Sequence, residues 1–159
     1  MKTATLSELK TELTSLKSAE LLALCMRLAK YKKENKELLT YLLFEAIDEQ
    51  GYIDAIKVEI DLGFEGMNRN NLYFVKKSLR KTLRIANKYI KYSGSKQTEV
   101  EILMYFCTKL KNSGILIKTS IILGNLYQRQ IQRIKKALST LHEDMQYDYQ
   151  DELDIISKF

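Results

Sequence analysis

Leu6, Leu9, Leu13 and Leu16 recur at spacings of three and four. This spacing lays one apolar stripe along a helix and predicts the first element, with Thr5 or Ser7 as its cap. Leu21, Leu24, Cys25 and Leu28 repeat the pattern, and Ser18 stands just before them as the expected N-cap of a second helix. In the third, opened by Asn35, the run Leu38, Leu39, Tyr41, Leu42, Leu43 and Phe44 leaves little polar surface, so a centrally buried helix is expected. The charged KYKKEN between the second and third reads as a solvated joint.

Tyr52, Ile53, Ile56 and Ile60 mark a fourth helix between Asp48 and Met67, which Gly63 and Gly66 are expected to end or loosen, with an irregular loop over 63–71. A long fifth helix follows from Asn70 or Asn71 to Tyr92, stopped by Ser93-Gly94-Ser95. The sixth runs from Thr98 to Lys111, ahead of Asn112-Ser113-Gly114. The run ILIKTSIIL suits a strand or a short helix by composition, and is read as a helix because no second strand is present to pair with it. Leu126, Tyr127, Ile131, Ile134, Leu138 and Leu141 give another amphipathic helix beyond Gly124, and the acidic segment 143–159 a short, loosely packed last one. The fold class is therefore all-α: about eight helices in antiparallel hairpins within one domain over 1–159. They form either a compact bundle or a short right-handed stack of helix pairs.

Composition agrees with this reading. The chain of 159 residues contains no proline and six glycines, so most helix breakers are missing. Its 45% apolar and 29% charged content is that of a folded soluble protein. Cys25 and Cys107 lie far apart in apolar stretches and are expected to be buried, inert thiols in a reducing compartment. No apolar run is long enough for a membrane span, and the first residues have no continuous apolar core of a signal peptide. The expected location is the cytoplasm.

Residues 6–43, LSELKTELTSLKSAELLALCMRLAKYKKENKELLTYLL, carry a short LxxL helix, an EL-rich helix, and a KENKE turn followed by LLxYLL. This arrangement resembles the N-terminal signature of a family of small, all-helical bacterial proteins of unassigned function. The likeness covers about the first quarter of the chain. It implies a helical fold and brings no activity, cofactor or site residue.

Several chemistries are disfavoured. His142 is the single histidine, so a His-containing zinc or di-iron constellation is missing, and a solvated position at a helix end is expected for it. There is no CxxC, phosphate-binding loop, GxGxxG or nucleophile elbow. Glu45, Asp48, Glu49, Asp54, Glu59, Asp61 and Glu65 crowd one region in which Lys57 is the only basic residue. Without the DxDxDG alternation of a calcium loop, a solvated acidic face is the expectation. Neither catalysis, cofactor, metal nor small-molecule substrate is expected.

Charge separates sharply along the chain. Between Asn68 and Thr98 there is no Asp or Glu but nine Lys and Arg, while the net charge of the whole chain is only +6. The remainder is therefore net acidic. At 100° per residue, Lys76, Lys77, Arg80, Lys81, Arg84, Lys88 and Lys91 fall within an arc of about 140° together with Tyr73. Leu72, Val75, Leu79, Leu83, Ala86 and Ile90 make the opposing stripe. Two readings of this ridge compete. One is a protein partner or self-association, with the ridge paired to the acidic segments 45–65 and 143–159. The other is nucleic acid, bound by these cations beside Phe74, Tyr89 and Tyr92, with Arg129, Arg133 and Lys136 extending the surface if their helix lies alongside.

Overall fold

The computed structural model describes residues 2–158, so Met1 and Phe159, the ends of the expected 1–159 domain, lie outside the described residues. Among these the chain is all-α: eight α-helices, a short π turn and a 3₁₀ turn, with no strand. It packs as two compact units, Met1–Phe44 and Glu45–Phe159.

The first unit holds α1 (Leu6–Ser15), α2 (Ser18–Tyr31) and α3 (Lys33–Thr40). Thr5 caps α1 in a reciprocal box. Its backbone N–H donates to the Glu8 carboxylate at 2.7 Å, and the Glu8 N–H donates to the Thr5 hydroxyl at 3.3 Å. In α2 the start moves one residue upstream of expectation: Ser18 is its first helical residue, because the Glu20 carboxylate accepts from the N–H of Lys17 at 2.8 Å. Asn35 likewise lies inside α3, not ahead of it. Its side-chain amide donates back to the carbonyl of Leu28 at 2.9 Å, covering an open acceptor near the end of α2. KYKKEN is thus almost wholly helical, with Lys32 as the one extended residue between α2 and α3.

The expected burial of the third helix is not found. Leu38, Leu42, Leu43 and Phe44 are exposed, and Tyr41, in the π turn Tyr41–Glu45 that continues α3, is the only buried side chain among the described residues of this unit. A unit of this size makes too little internal contact to bury a full stripe, and none of its three helices holds a buried residue.

In the second unit, α4 (Glu49–Glu65), α5 (Leu72–Ser93), α7 (Ile121–Leu138) and α8 (Glu143–Ser157) surround α6 (Lys96–Asn112), which packs against each of them. Accordingly α6 buries residues around most of its circumference, from Thr98 and Val100 to Phe106, Cys107 and Leu110. Gly63 does not end α4. It sits within the helix where α5 crosses, so close to Thr82 that a Cβ would overlap the threonine side chain, and Gly66 supplies the cap instead. Gly94 ends α5 in the left-handed region at φ 67°, as its sequence predicts.

Two further departures lie beyond α6. ILIKTSIIL is not a separate helix: Ile117–Thr119 form a 3₁₀ turn, Ser120 caps α7, and that helix runs straight through Gly124. Nor is the acidic segment loose. Leu153 and Ile156 of α8 are buried, the Tyr127 hydroxyl donates to the carbonyl of Ile156 at 2.7 Å, and Lys111 donates to the carbonyl of Lys158 at 2.7 Å. A cation at that end also complements the helix dipole.

Candidate functional site

α5 is amphipathic along its whole length. Val75, Leu79, Leu83, Ala86 and Ile90 are buried, and this anchoring turns the basic arc outward. Lys77, Arg80, Lys81, Arg84 and Lys91 are exposed, and Lys76 is half-buried. Among the described residues none of these six cations has a carboxylate within ion-pair distance. Lys88 is engaged differently, with its ammonium 4.7 Å from the ring centre of Tyr89 and 5.9 Å from that of Tyr92.

Tyr73, Lys76, Lys77, Arg80, Lys81 and Arg84 line one open depression of about 490 Å³. Arg80 also enters a second groove, of about 350 Å³, whose far wall is Ile122, Asn125, Leu126, Arg129 and Gln130 of α7. The two concavities therefore meet at Arg80. Tyr73, 66% exposed, and Phe74, 37% exposed, stand edge to face at the start of the ridge with ring centres 5.4 Å apart. Tyr89 and Tyr92, expected as stacking partners, are only partly accessible. Tyr52 packs edge-on against Tyr89 and donates its hydroxyl to the Tyr89 carbonyl at 3.0 Å.

Of the residues expected to extend the ridge, Arg129 does so from the α7 wall. Lys136 is exposed further along α7. Arg133 is committed to the fold: it donates to Asn87 of α5 at 2.7 Å and to Glu99 of α6 at 2.8 Å. Burial works to raise the pKa of Glu99, but hydrogen bonds and attraction from Lys96 and Arg133 outweigh it and hold the carboxyl below its ordinary range.

The acidic residues of 45–65 disperse. Asp48 caps α4. Glu49 accepts hydroxyl hydrogen bonds from Ser93 and Thr98 at 2.5 Å each. Asp54 pairs with Lys57 at 3.4 Å, and Asp61 accepts from Lys109 and from the Tyr105 hydroxyl at 2.8 Å. Among the described residues no three His, Cys, Asp or Glu side chains converge as metal ligands would. α8 lies on α6 and α7, and none of its carboxylates pairs with the α5 arc within the described chain. The internal neutralisation allowed by the sequence is therefore not found.

His142 caps α8, its Nδ1 accepting from the N–H of Asp144 at 3.4 Å. Cys107 is buried, but Cys25 is exposed, contrary to the expectation of two buried thiols. No helix among the described residues is long and apolar enough to cross a membrane. No protein-family model, curated protein or solved structure matches the chain.

Proposed function

We propose that the chain is a helical binding module without catalysis of its own, and that the outward face of α5 takes the phosphate backbone of a nucleic acid. The observation that carries this reading is the set of six cations, Lys76, Lys77, Arg80, Lys81, Arg84 and Lys91, anchored on a rigid helix with no carboxylate of the described chain to neutralise them. Like charges at helical spacing repel by a few tenths of a kcal/mol per pair. A polyanion removes that repulsion and gains counterion release. Tyr73 and Phe74 add exposed aromatic faces at one end, and Arg129 supplies a cation on the opposite wall. This combination suits a single strand or a splayed end, where phosphates and base faces are presented together.

The test is a titration of single- and double-stranded DNA and RNA by fluorescence anisotropy at two salt concentrations. Binding at low salt that weakens steeply with salt, and more strongly to single strands, is expected. Absence of binding to every nucleic acid at low salt overturns the reading, and binding that survives Arg80→Glu with Arg84→Glu removes it from α5.

A further inference from the structure

The first unit carries a surface of a different kind, independent of the basic face. At 100° per residue, Leu24, Leu28, Leu21, Cys25, Ala29, Leu22 and Met26 of α2 span an arc of about 200°. Within the chain only Leu21 and Ala29, in the middle of that arc, are half-buried, and the others are exposed. The α2–α3 hairpin therefore has an apolar groove along each side.

The two grooves differ in charge. One, of about 250 Å³, is walled by Cys25, Leu28, Ala29, Leu38, Leu39 and Leu42, with Asn35 its one polar side chain. The other places Met26, Leu43 and Phe44 among Lys30, Lys32, Lys33 and Lys36. In a two-fold contact each surface meets a copy of itself. The lysine-edged groove would set ammonium against ammonium, whereas the uncharged one meets no such penalty.

Charge also selects a direction. Glu20 and Arg27 lie seven residues apart, about 20° from each other on the edge of α2 beside Leu24. Both are exposed, and neither has an ion-pair partner among the described residues. Their midpoint falls between Ala23 and Leu24, almost at the centre of the helix Ser18–Tyr31. Antiparallel pairing of α2 with its symmetry mate sets Glu20 against the second copy's arginine and Arg27 against its glutamate. Parallel pairing sets like charges together.

We propose that the hairpin is a homodimerisation element: two copies of the chain pack through the uncharged groove, with α2 antiparallel to its mate. They close a four-helix bundle over Leu24, Cys25, Leu28, Leu38 and Leu42. The contact supplies the core that a unit of this size cannot assemble from one chain.

The experiment measures mass by light scattering and sedimentation across a concentration series of the full chain. A dimer at micromolar concentration is expected, and Leu28→Glu or Leu42→Glu, both at exposed positions, should give monomers of unchanged helicity. Glu20→Arg or Arg27→Glu should each weaken association by about fivefold or more, since two pairs are lost per dimer. The double variant should restore it. Maleimide labelling of Cys25, exposed in the single chain, should slow as the dimer forms with rising concentration. A wild-type chain that stays monomeric throughout, a dimer indifferent to Leu28→Glu, or a double charge swap that does not recover association overturns the proposal.

Discussion

Arg133 of α7 and Glu99 of α6 meet at 2.8 Å, and the same guanidinium reaches Asn87 of α5 at 2.7 Å, so one side chain ties three helices together. Arg133 and Arg129 belong to the same helix four residues apart, yet the first is spent on the fold and the second faces an open groove. Arg133→Ala should therefore destabilise the protein by about 1 kcal/mol, because it removes the tie between three helices and leaves the carboxylate of Glu99 with Lys96 alone. It should leave affinity for nucleic acid within about twofold. Arg129→Ala should do the reverse. Urea unfolding and anisotropy on the same preparations separate the two effects.

Acidification acts through the same contacts. Asp61 resembles Glu99 in that burial favours the protonated acid but hydrogen bonds from Lys109 and Tyr105, with attraction from Lys109, prevail and lower its pKa. A carboxyl whose pKa is lower folded than unfolded stabilises the fold above its unfolded value and loses that contribution as pH falls through the folded one. Unfolding midpoints should hold steady near neutrality and fall below about pH 4–5. Glu99→Gln should lower the plateau and flatten that part of the curve.

At the α4–α5 crossing the expected change is steric. Gly63 leaves no room for a methyl group beside Thr82, and Thr82 is itself buried, so Gly63→Ala must move one helix against the other. Overpacking of this kind costs about 1–3 kcal/mol, partly offset by the better helix propensity of alanine. Gly63→Ala with Thr82→Ala together should recover part of the loss, which a double-mutant cycle in urea would show.

The two cysteines offer a check on burial. Desolvation drives the Cys107 thiol up to about 12 within α6, whereas Cys25 is on the exposed surface of α2. In the monomeric Leu28→Glu variant a thiol reagent at neutral pH should titrate one group, and two in denaturant, and Cys25→Ser should abolish the native reaction.

These outcomes trace which parts of the molecule its sequence discloses. The all-helical class, the extent of α5 and its outward cations follow from local rules: a period of 3.6, an asparagine before Leu72 and a left-handed glycine after Ser93. The mistakes arise where one local signal has two physical meanings. Gly63 reads as a helix breaker but serves close approach, and Gly124 reads as a stop although α7 continues through it. Asn35 caps from the far side of the joint. The dense apolar run 38–44 reads as core, yet burial depends on how much chain is available to cover it, which no local pattern records. Arg133 was indistinguishable from Arg129 by type and face; only the three-dimensional position of Glu99 divides them.

The basic face gives the most quantitative expectation. If about five or six of its cations contact phosphates of a single strand, the logarithm of affinity should fall with the logarithm of salt at a slope near −4, since each contact contributes about 0.7. Removing charge at Lys77, Arg80 and Arg84 by substitution with alanine should reduce that slope by about 2 without changing stability beyond about 0.5 kcal/mol, because all three side chains are exposed and have no ion-pair partner among the described residues. Tyr73→Ala should act differently. It carries no charge, so the slope should stay unchanged while affinity for a single strand falls by about 5- to 100-fold through lost stacking. A Tyr73 variant with unaltered affinity would confine the interaction to the phosphates and remove the preference for unpaired bases.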